Sequence, residues 1–175
     1  MKSNIVLIGM PASGKSTLGV LLAKQLGYDF VDADLLIQRA AGKILQRVLD
    51  EDGAEAFAAL ESGVLCSLAY ENTVIATGGS AVYHADAMRH LSEIGHIVYL
   101  EIPFSFLEKR LGNLAVRGVL RRPGQSLADL FEERRALYEK YAEYTFCETD
   151  GERERTMDEN IGRLTAEIKT LPGLA

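Results

Sequence analysis

The chain has 175 residues, 47% hydrophobic and 25% charged, which suits one globular domain with a sizeable core and excludes a disordered chain. Its formal net charge of −6, with both signs interspersed, excludes a broad basic face for nucleic acid but leaves room for a few arginines around an anionic small molecule. No run approaches the roughly 20 apolar residues that span a bilayer, and the apolar run after Met1-Lys2 is too short for a secretory leader, so a cytoplasmic protein without a membrane partner is expected.

Short apolar runs alternate with longer amphipathic ones. Ile5-Val6-Leu7-Ile8, closed by Gly9, reads as a strand buried on both faces. Residues 16–26 carry Leu18, Leu21, Leu22 and Leu26 at helical spacing and stop at Gly27. Tyr28-Asp29-Phe30-Val31 reads as a second strand. Residues 38–52 have a weak apolar stripe and are placed as a peripheral helical segment, within a substrate-side region of about 33–62. Residues 56–70 read as a helix, Thr73-Val74-Ile75-Ala76-Thr77 as a third strand, residues 96–102 as a fourth, and 103–111 as a helix opened by Pro103. Residues 112–125, rich in glycine and arginine, read as a mobile basic lid. Tyr144-Thr145-Phe146-Cys147 is a fifth strand, and Thr156-Met157-Asp158-Glu159 a capping box for a last helix to about Lys169. Without linker or repeat, residues 1–175 form one α/β domain around a parallel sheet covered on both faces. Cys66 and Cys147 lie outside any metal or redox pattern and read as reduced packing residues. His84, His90 and His96 lack metal-ligand spacing and read as surface or packing residues.

Gly9-Met10-Pro11-Ala12-Ser13-Gly14-Lys15-Ser16 matches G-x-x-x-x-G-K-[ST] between a buried strand and an amphipathic helix. In such a loop the backbone amides of Gly9, Ala12, Ser13 and Gly14 surround phosphate oxygens, and the helix starting near Gly14, with Thr17 in its first turn, adds its positive end. Lys15 supplies a point charge between the outer phosphates, and the Ser16 hydroxyl suits Mg²⁺. The ligand this implies is ATP with Mg²⁺.

Asp32-Ala33-Asp34 follows the second strand. In extended backbone the two carboxylates share a face and point toward the crevice at the carboxyl ends of the strands. One is placed to hold the metal and the other to accept or orient the proton of an attacking hydroxyl. Alternatively one of them, Asp34 by position, caps the next helix. Gly78-Gly79-Ser80, after the third strand, lets a substrate approach the backbone. Arg110, Arg117, Arg121 and Arg122 surround the lid, where arginines can balance charge developing on a transferred phosphoryl group. Of Arg134 and Arg135, one is expected in the cleft and the other against glutamate on the solvent face.

With these residues assembled, the chain resembles the shikimate kinases. The resemblance runs over most of the sequence. It rests on residues 9–16, on Phe30-Val31-Asp32-Ala33-Asp34 and on Gly53, Phe57 and Glu61 at four-residue intervals. It continues in Ala76-Thr77-Gly78-Gly79, in Val116-Arg117 with Leu120, and in Arg134 with Leu137-Tyr138. The resemblance implies a three-layer P-loop kinase fold with a five-stranded parallel sheet and a lid, and phosphorylation of shikimate to shikimate 3-phosphate by ATP and Mg²⁺ in aromatic amino acid biosynthesis. It also implies Lys15 and Arg117 on phosphates, Ser16 and Asp32 at the metal, and Asp34 on the substrate hydroxyls; Arg110 is assigned to the nucleotide from its place beside the lid. Gly78 and Gly79 then line the pocket, with Ser80 next in the chain, and Arg134 takes the substrate carboxylate.

The chain departs from that family at four positions. Ala58 stands where an arginine clamp is expected, Ser80 replaces a third glycine, and Gly118 and Ala136 replace prolines. A charge-assisted hydrogen bond contributes roughly 1.5–3 kcal/mol, so the change at Ala58 bears on the acceptor more than on the nucleotide. Arg39 or Arg135 is left as a replacement clamp. The alternatives are a kinase for another small hydroxyl metabolite and a non-catalytic nucleotide-binding protein. A monomer with a small-molecule partner is expected.

Overall fold

Five short segments form the strands of one sheet: β1 (Asn4–Ile8), β2 (Asp29–Asp32), β3 (Thr73–Ala76), β4 (Gly95–Glu101) and β5 (Tyr144–Cys147). All pairs are parallel, in the order β2-β3-β1-β4-β5. The computed structural model describes residues 2–113, 122, 124–151 and 153–172.

Side chains alternate across a strand, so an unbroken apolar run serves two cores at once. Ile5 and Leu7 join Leu18 and Leu22 of helix α1 (Lys15–Leu26) and Leu164 and Ile168 of α8 (Met157–Ile168) on one face. Val6 and Ile8 join residues of α4 (Gly53–Cys66), α5 (Ala85–Ile94) and α7 (Leu127–Tyr141) on the other, among them Leu65, Leu91 and Tyr138. A small satellite core of Ile37, Val48 and Phe57 ties together α2 (Ala33–Ala41), α3 (Leu45–Glu51) and α4.

Several boundaries follow the local chemistry read from the sequence. Gly27 ends α1 in the left-handed region, and its amide bonds Ala23. Thr156 and Glu159 form both halves of the capping box that opens α8. β5 spans the four residues expected of it.

Other elements differ. Residues 38–52 are not one segment: α2 stops at Gly42 (φ 67°), and α3 starts after Ile44. Helix α4 begins at Gly53 and ends at Cys66, short of residue 70, because the Ser67 amide closes back on Gly63 and Val64 and the chain turns toward β3. Between Ser80 and β4, where no element was expected, a 3₁₀ turn (Ala81–Tyr83) leads into α5, whose Ala87, Met88 and Leu91 are buried. Helix α6 (Phe104–Asn113) runs two residues into the segment expected as lid. Of that segment, Arg117, Gly118 and Arg121 lie outside the described residues. Cys66 is exposed rather than packed, and Cys147 is half-buried; both are free thiols. His84 and His96 bond buried or partly buried glutamates, Glu61 and Glu143. Among the described residues no helix is long and apolar enough to cross a membrane.

β1 lies between β3 and β4, so the chain leaves it toward one edge and returns on its other side. That reversal opens a crevice at the carboxyl ends of the strands, where ligands of open α/β sheets bind. Gly9 and Thr77 follow strand ends at that rim, and Asp32 is the last residue of β2.

Candidate active site

The β1–α1 loop is held open by unusual backbone. Ala12 has φ 65° and Gly14 φ 80°. A left-handed alanine is costly and marks a backbone held in place by its surroundings. Gly14 is the N-cap of α1 and makes no side-chain cap, which leaves the first-turn amides facing the crevice. Ser13 is fully buried beneath the loop, and its amide donates to the Met10 carbonyl (3.1 Å), so the expectation that this amide meets phosphate has no support in this geometry.

Lys15 folds back into this loop. Its Nζ donates to the carbonyls of Gly9 (2.8 Å) and Met10 (2.7 Å) and, more loosely, to Ser13 Oγ (3.4 Å). Burial pushes its pKa down to about 8, although the carboxylates of Asp34, Glu148 and Asp32 oppose the shift. An ammonium group whose described partners are carbonyl oxygens and a hydroxyl can exchange them for phosphate oxygens.

The acidic pair divides its work differently from the extended-chain expectation. The chain turns into α2 at Ala33, so the two carboxylates diverge. Asp32, not Asp34, is the helix cap: its Oδ1 accepts from the Asp34 amide (3.0 Å). Its other oxygen accepts from Ser16 Oγ (2.6 Å). Adjacent hydroxyl and carboxylate oxygens suit Mg²⁺, which takes few protein ligands and fills its shell with water and phosphate. Asp34 instead reaches over Gly78, where an added Cβ would sit 2.9 Å from its Oδ1. Burial, and then the nearby Asp32, push the Asp34 carboxyl up to about 6, with Lys15 opposing.

Opposite Asp34 lies Gly78-Gly79-Ser80. A Cβ on Gly79 would stand 2.8 Å from Pro11 Cδ and 3.0 Å from Arg134 Nη1, so no larger residue fits without displacing one of them. The Gly79 carbonyl accepts from Tyr138 Oη (2.7 Å). Arg134 is only 1% exposed, on the inner face of α7, with Nε 3.4 Å from Tyr83 Oη. Arg135 lies on the solvent face, paired with Glu139 (2.9 Å) and Glu132 (3.6 Å). Arg39 is exposed and lines a separate groove with Tyr70. Neither Arg39 nor Arg135, the two candidates the sequence left open, therefore replaces a clamp at Ala58.

A cavity of about 340 Å³ joins the two halves, running from Lys15, Ser16 and Thr17 to Asp34 and Gly78-Gly79-Ser80. A second, of about 480 Å³, continues past Phe57 and Ser80 to Arg134. Arg110 does not reach into the first. It is tied at the outer rim to the Ala12 carbonyl (3.0 Å), Glu148 (2.9 Å) and Glu154 (3.1 Å). Arg122 is held outward by Glu133 (3.1 Å). Two buried carboxylates near the site were not singled out from sequence as site groups. Glu148, raised in pKa by burial, backs Gly14 from the end of β5, and its place just after a strand was the available signal. Glu61 accepts from Ser80 and His84, a contact that depends on tertiary packing alone.

A phosphate cradle feeding directly into an acceptor cavity, on a parallel sheet of this strand order, makes the protein a P-loop kinase, an ATP-dependent phosphotransferase. More narrowly, a family model described as shikimate kinase matches residues 11–165, and the chain belongs to that family. A shikimate kinase of Thermobifida fusca is 41% identical over 143 residues, 80% of this chain and 82% of that protein. One from Vibrio parahaemolyticus is 37% identical over 169 residues, 95% of this chain and 98% of its own. The solved structure of shikimate kinase from Acinetobacter baumannii in complex with shikimate superposes with a TM-score of 0.83 at 31% identity, covering 97% of this chain and 94% of that one.

Proposed function

We propose that this protein transfers the γ-phosphoryl group of ATP to shikimate, with Mg²⁺, giving ADP and shikimate 3-phosphate. The observation that carries this reading is the continuous cavity from Lys15 and Ser16 to Asp34, with buried Arg134 in the adjoining space. Arg134 takes the carboxylate of the acceptor, and Asp34 takes its hydroxyls. The attacking oxygen bonds the γ-phosphorus, the bond from phosphorus to the bridging oxygen breaks toward ADP, and the hydroxyl proton passes to Asp34. Lys15 and the loop amides, among them Gly14, hold the phosphates, and Thr17 follows in the same helix turn. Arg117, outside the described residues, is assigned to the phosphates by family resemblance. Ser16 and Asp32 hold Mg²⁺, which when bound offsets charge on the phosphate oxygens. The donor pair, a hydroxyl beside a carboxylate, fits that ion by its chemistry. The same reading makes the protein a cytoplasmic monomer, which light scattering after gel filtration would check.

The test is ADP release measured with and without shikimate and with and without Mg²⁺. Release that depends on both is expected, and none above the acceptor-free rate would overturn the reading. Ala58 favours a second reading, a different small hydroxyl acceptor, because no described arginine takes the place of the missing clamp. A panel of sugar acids, amino alcohols and polyols separates the two by which compound gives the highest kcat/KM.

A further inference from the structure

The left-handed backbone at Ala12 needs something to hold it, and two contacts do so, one on each side of the Ala12–Ser13 peptide. In a trans peptide the carbonyl and the amide point in opposite directions. Here the Ser13 amide donates within the loop to the Met10 carbonyl (3.1 Å), and the Ala12 carbonyl accepts from Arg110 Nη1 at the outer rim (3.0 Å). Arg110, in the last turn of α6, is fixed in its turn by two carboxylates. Its Nη2 donates to Glu148 (2.9 Å) and its Nε to Glu154 (3.1 Å), so three donors of one planar fork each meet an acceptor.

Glu148 is the buried end of this bridge. It follows β5, is 3% exposed, and lies against Gly14, the N-cap of α1, where an added Cβ would stand 3.4 Å from its Oε1. Two consequences follow if the guanidinium is removed. The Ala12–Ser13 peptide can turn its carbonyl into the loop, where the negative end of its dipole would oppose phosphate oxygens. The Glu148 carboxylate also loses its partner, and its charge then acts beside the helix end that attracts the phosphates.

We propose that Arg110 and Glu148 are positioning residues for the nucleotide: together they clamp the Ala12–Ser13 peptide with its carbonyl outward, which keeps the loop open to phosphate. They act on the phosphates through the loop, not on the base or ribose. The inference concerns the nucleotide side alone and stands whichever hydroxyl compound is the acceptor.

Calorimetric titration of the full chain with ADP and with inorganic tripolyphosphate, both with Mg²⁺, separates a clamp on the loop from a contact with the nucleoside. In Arg110→Ala both ligands should lose affinity by the same factor, about tenfold to a hundredfold. Adding Glu148→Gln to that variant should restore part of the loss, because it removes the carboxylate that lost its partner. Glu148→Ala cuts the bridge at its other end and stands in if Arg110→Ala does not fold. It should weaken both ligands, and Glu148→Gln, which keeps an acceptor for Arg110, should weaken them less. A loss confined to ADP, with tripolyphosphate bound as in wild type, would make Arg110 a nucleoside contact and overturn the clamp. Unchanged affinity for both ligands in Arg110→Ala or in Glu148→Ala would overturn it too.

Discussion

Asp34 carries the most consequential protonation equilibrium in the site. Its folded-state pKa, about 6, lies above the ordinary carboxylate range because burial and Asp32 disfavour the charged form. The native protein therefore binds this proton more tightly than the unfolded chain. Its stabilising contribution is fully present below about pH 4 and is lost as pH rises through about 6. A shift of about two pKa units corresponds to up to about 3 kcal/mol. Urea unfolding of the unliganded protein should thus show Asp34→Asn near wild-type stability at pH 4 and more stable than wild type at pH 7.5. Equal stability at pH 7.5 would mean that Asp34 is not held against its preferred ionisation. Turnover should move the opposite way. As proton acceptor Asp34 acts ionised, so wild-type kcat/KM should rise through about pH 6, and the asparagine variant should lose roughly 10²- to 10⁴-fold in kcat. The phosphate loop was legible at this scale because a buried strand and an amphipathic helix flank the motif. The split between Asp32 and Asp34 was not. It depends on the chain entering α2 at Ala33 rather than continuing extended, and D-A-D is compatible with both.

Helix ends show what local chemistry does and does not fix. Gly27, Thr156 and Glu159 act through their own backbone and near neighbours, so their roles were readable. Helix α5 was overlooked because its apolar residues Ala87, Met88 and Leu91 form a short stripe among charged residues, and no capping side chain marks its start. Asp32 joins element to site, since one oxygen caps α2 and the other meets Ser16. Asparagine can cap a helix but brings no negative charge to a metal. Asp32→Asn should therefore keep stability within about 0.5 kcal/mol while raising the Mg²⁺ concentration needed for half-maximal rate. Asp32→Ala should lose about 1 kcal/mol as well. An unchanged Mg²⁺ requirement in both variants would remove Asp32 from the metal site. Thr156→Ala is the control for capping alone: about 1 kcal/mol less stable by urea unfolding, with KM for both substrates unchanged.

Across the whole molecule, the sheet was visible chiefly in β1, β3 and β4, whose interiors serve two cores, while the edge strands β2 and β5 carry charged or polar residues. The acceptor site was visible only in part, since it gathers α2, α4, α7 and the β3 rim from distant stretches of chain. Sequence alone could not show that Arg134 turns inward while Arg39 and Arg135 turn out. The phosphate cradle, in contrast, joins the central strand to a helix of the main core, so nucleotide binding should stabilise the entire domain. A ligand at 100 times its Kd adds about 2.7 kcal/mol, and in a chain of this size each kcal/mol moves Tm by roughly 2–4 °C. ADP with Mg²⁺ at that excess should raise the wild-type Tm by about 5–11 °C. In Lys15→Ala the loop loses an ammonium group bonded to Gly9 and Met10, whose burial already disfavours its charge. The variant should fold, lose phosphoryl transfer and show little shift at the same ADP concentration. A full shift in Lys15→Ala would mean that the loop amides and the start of α1 hold the phosphates without the lysine, leaving Lys15 a role in the transfer step alone.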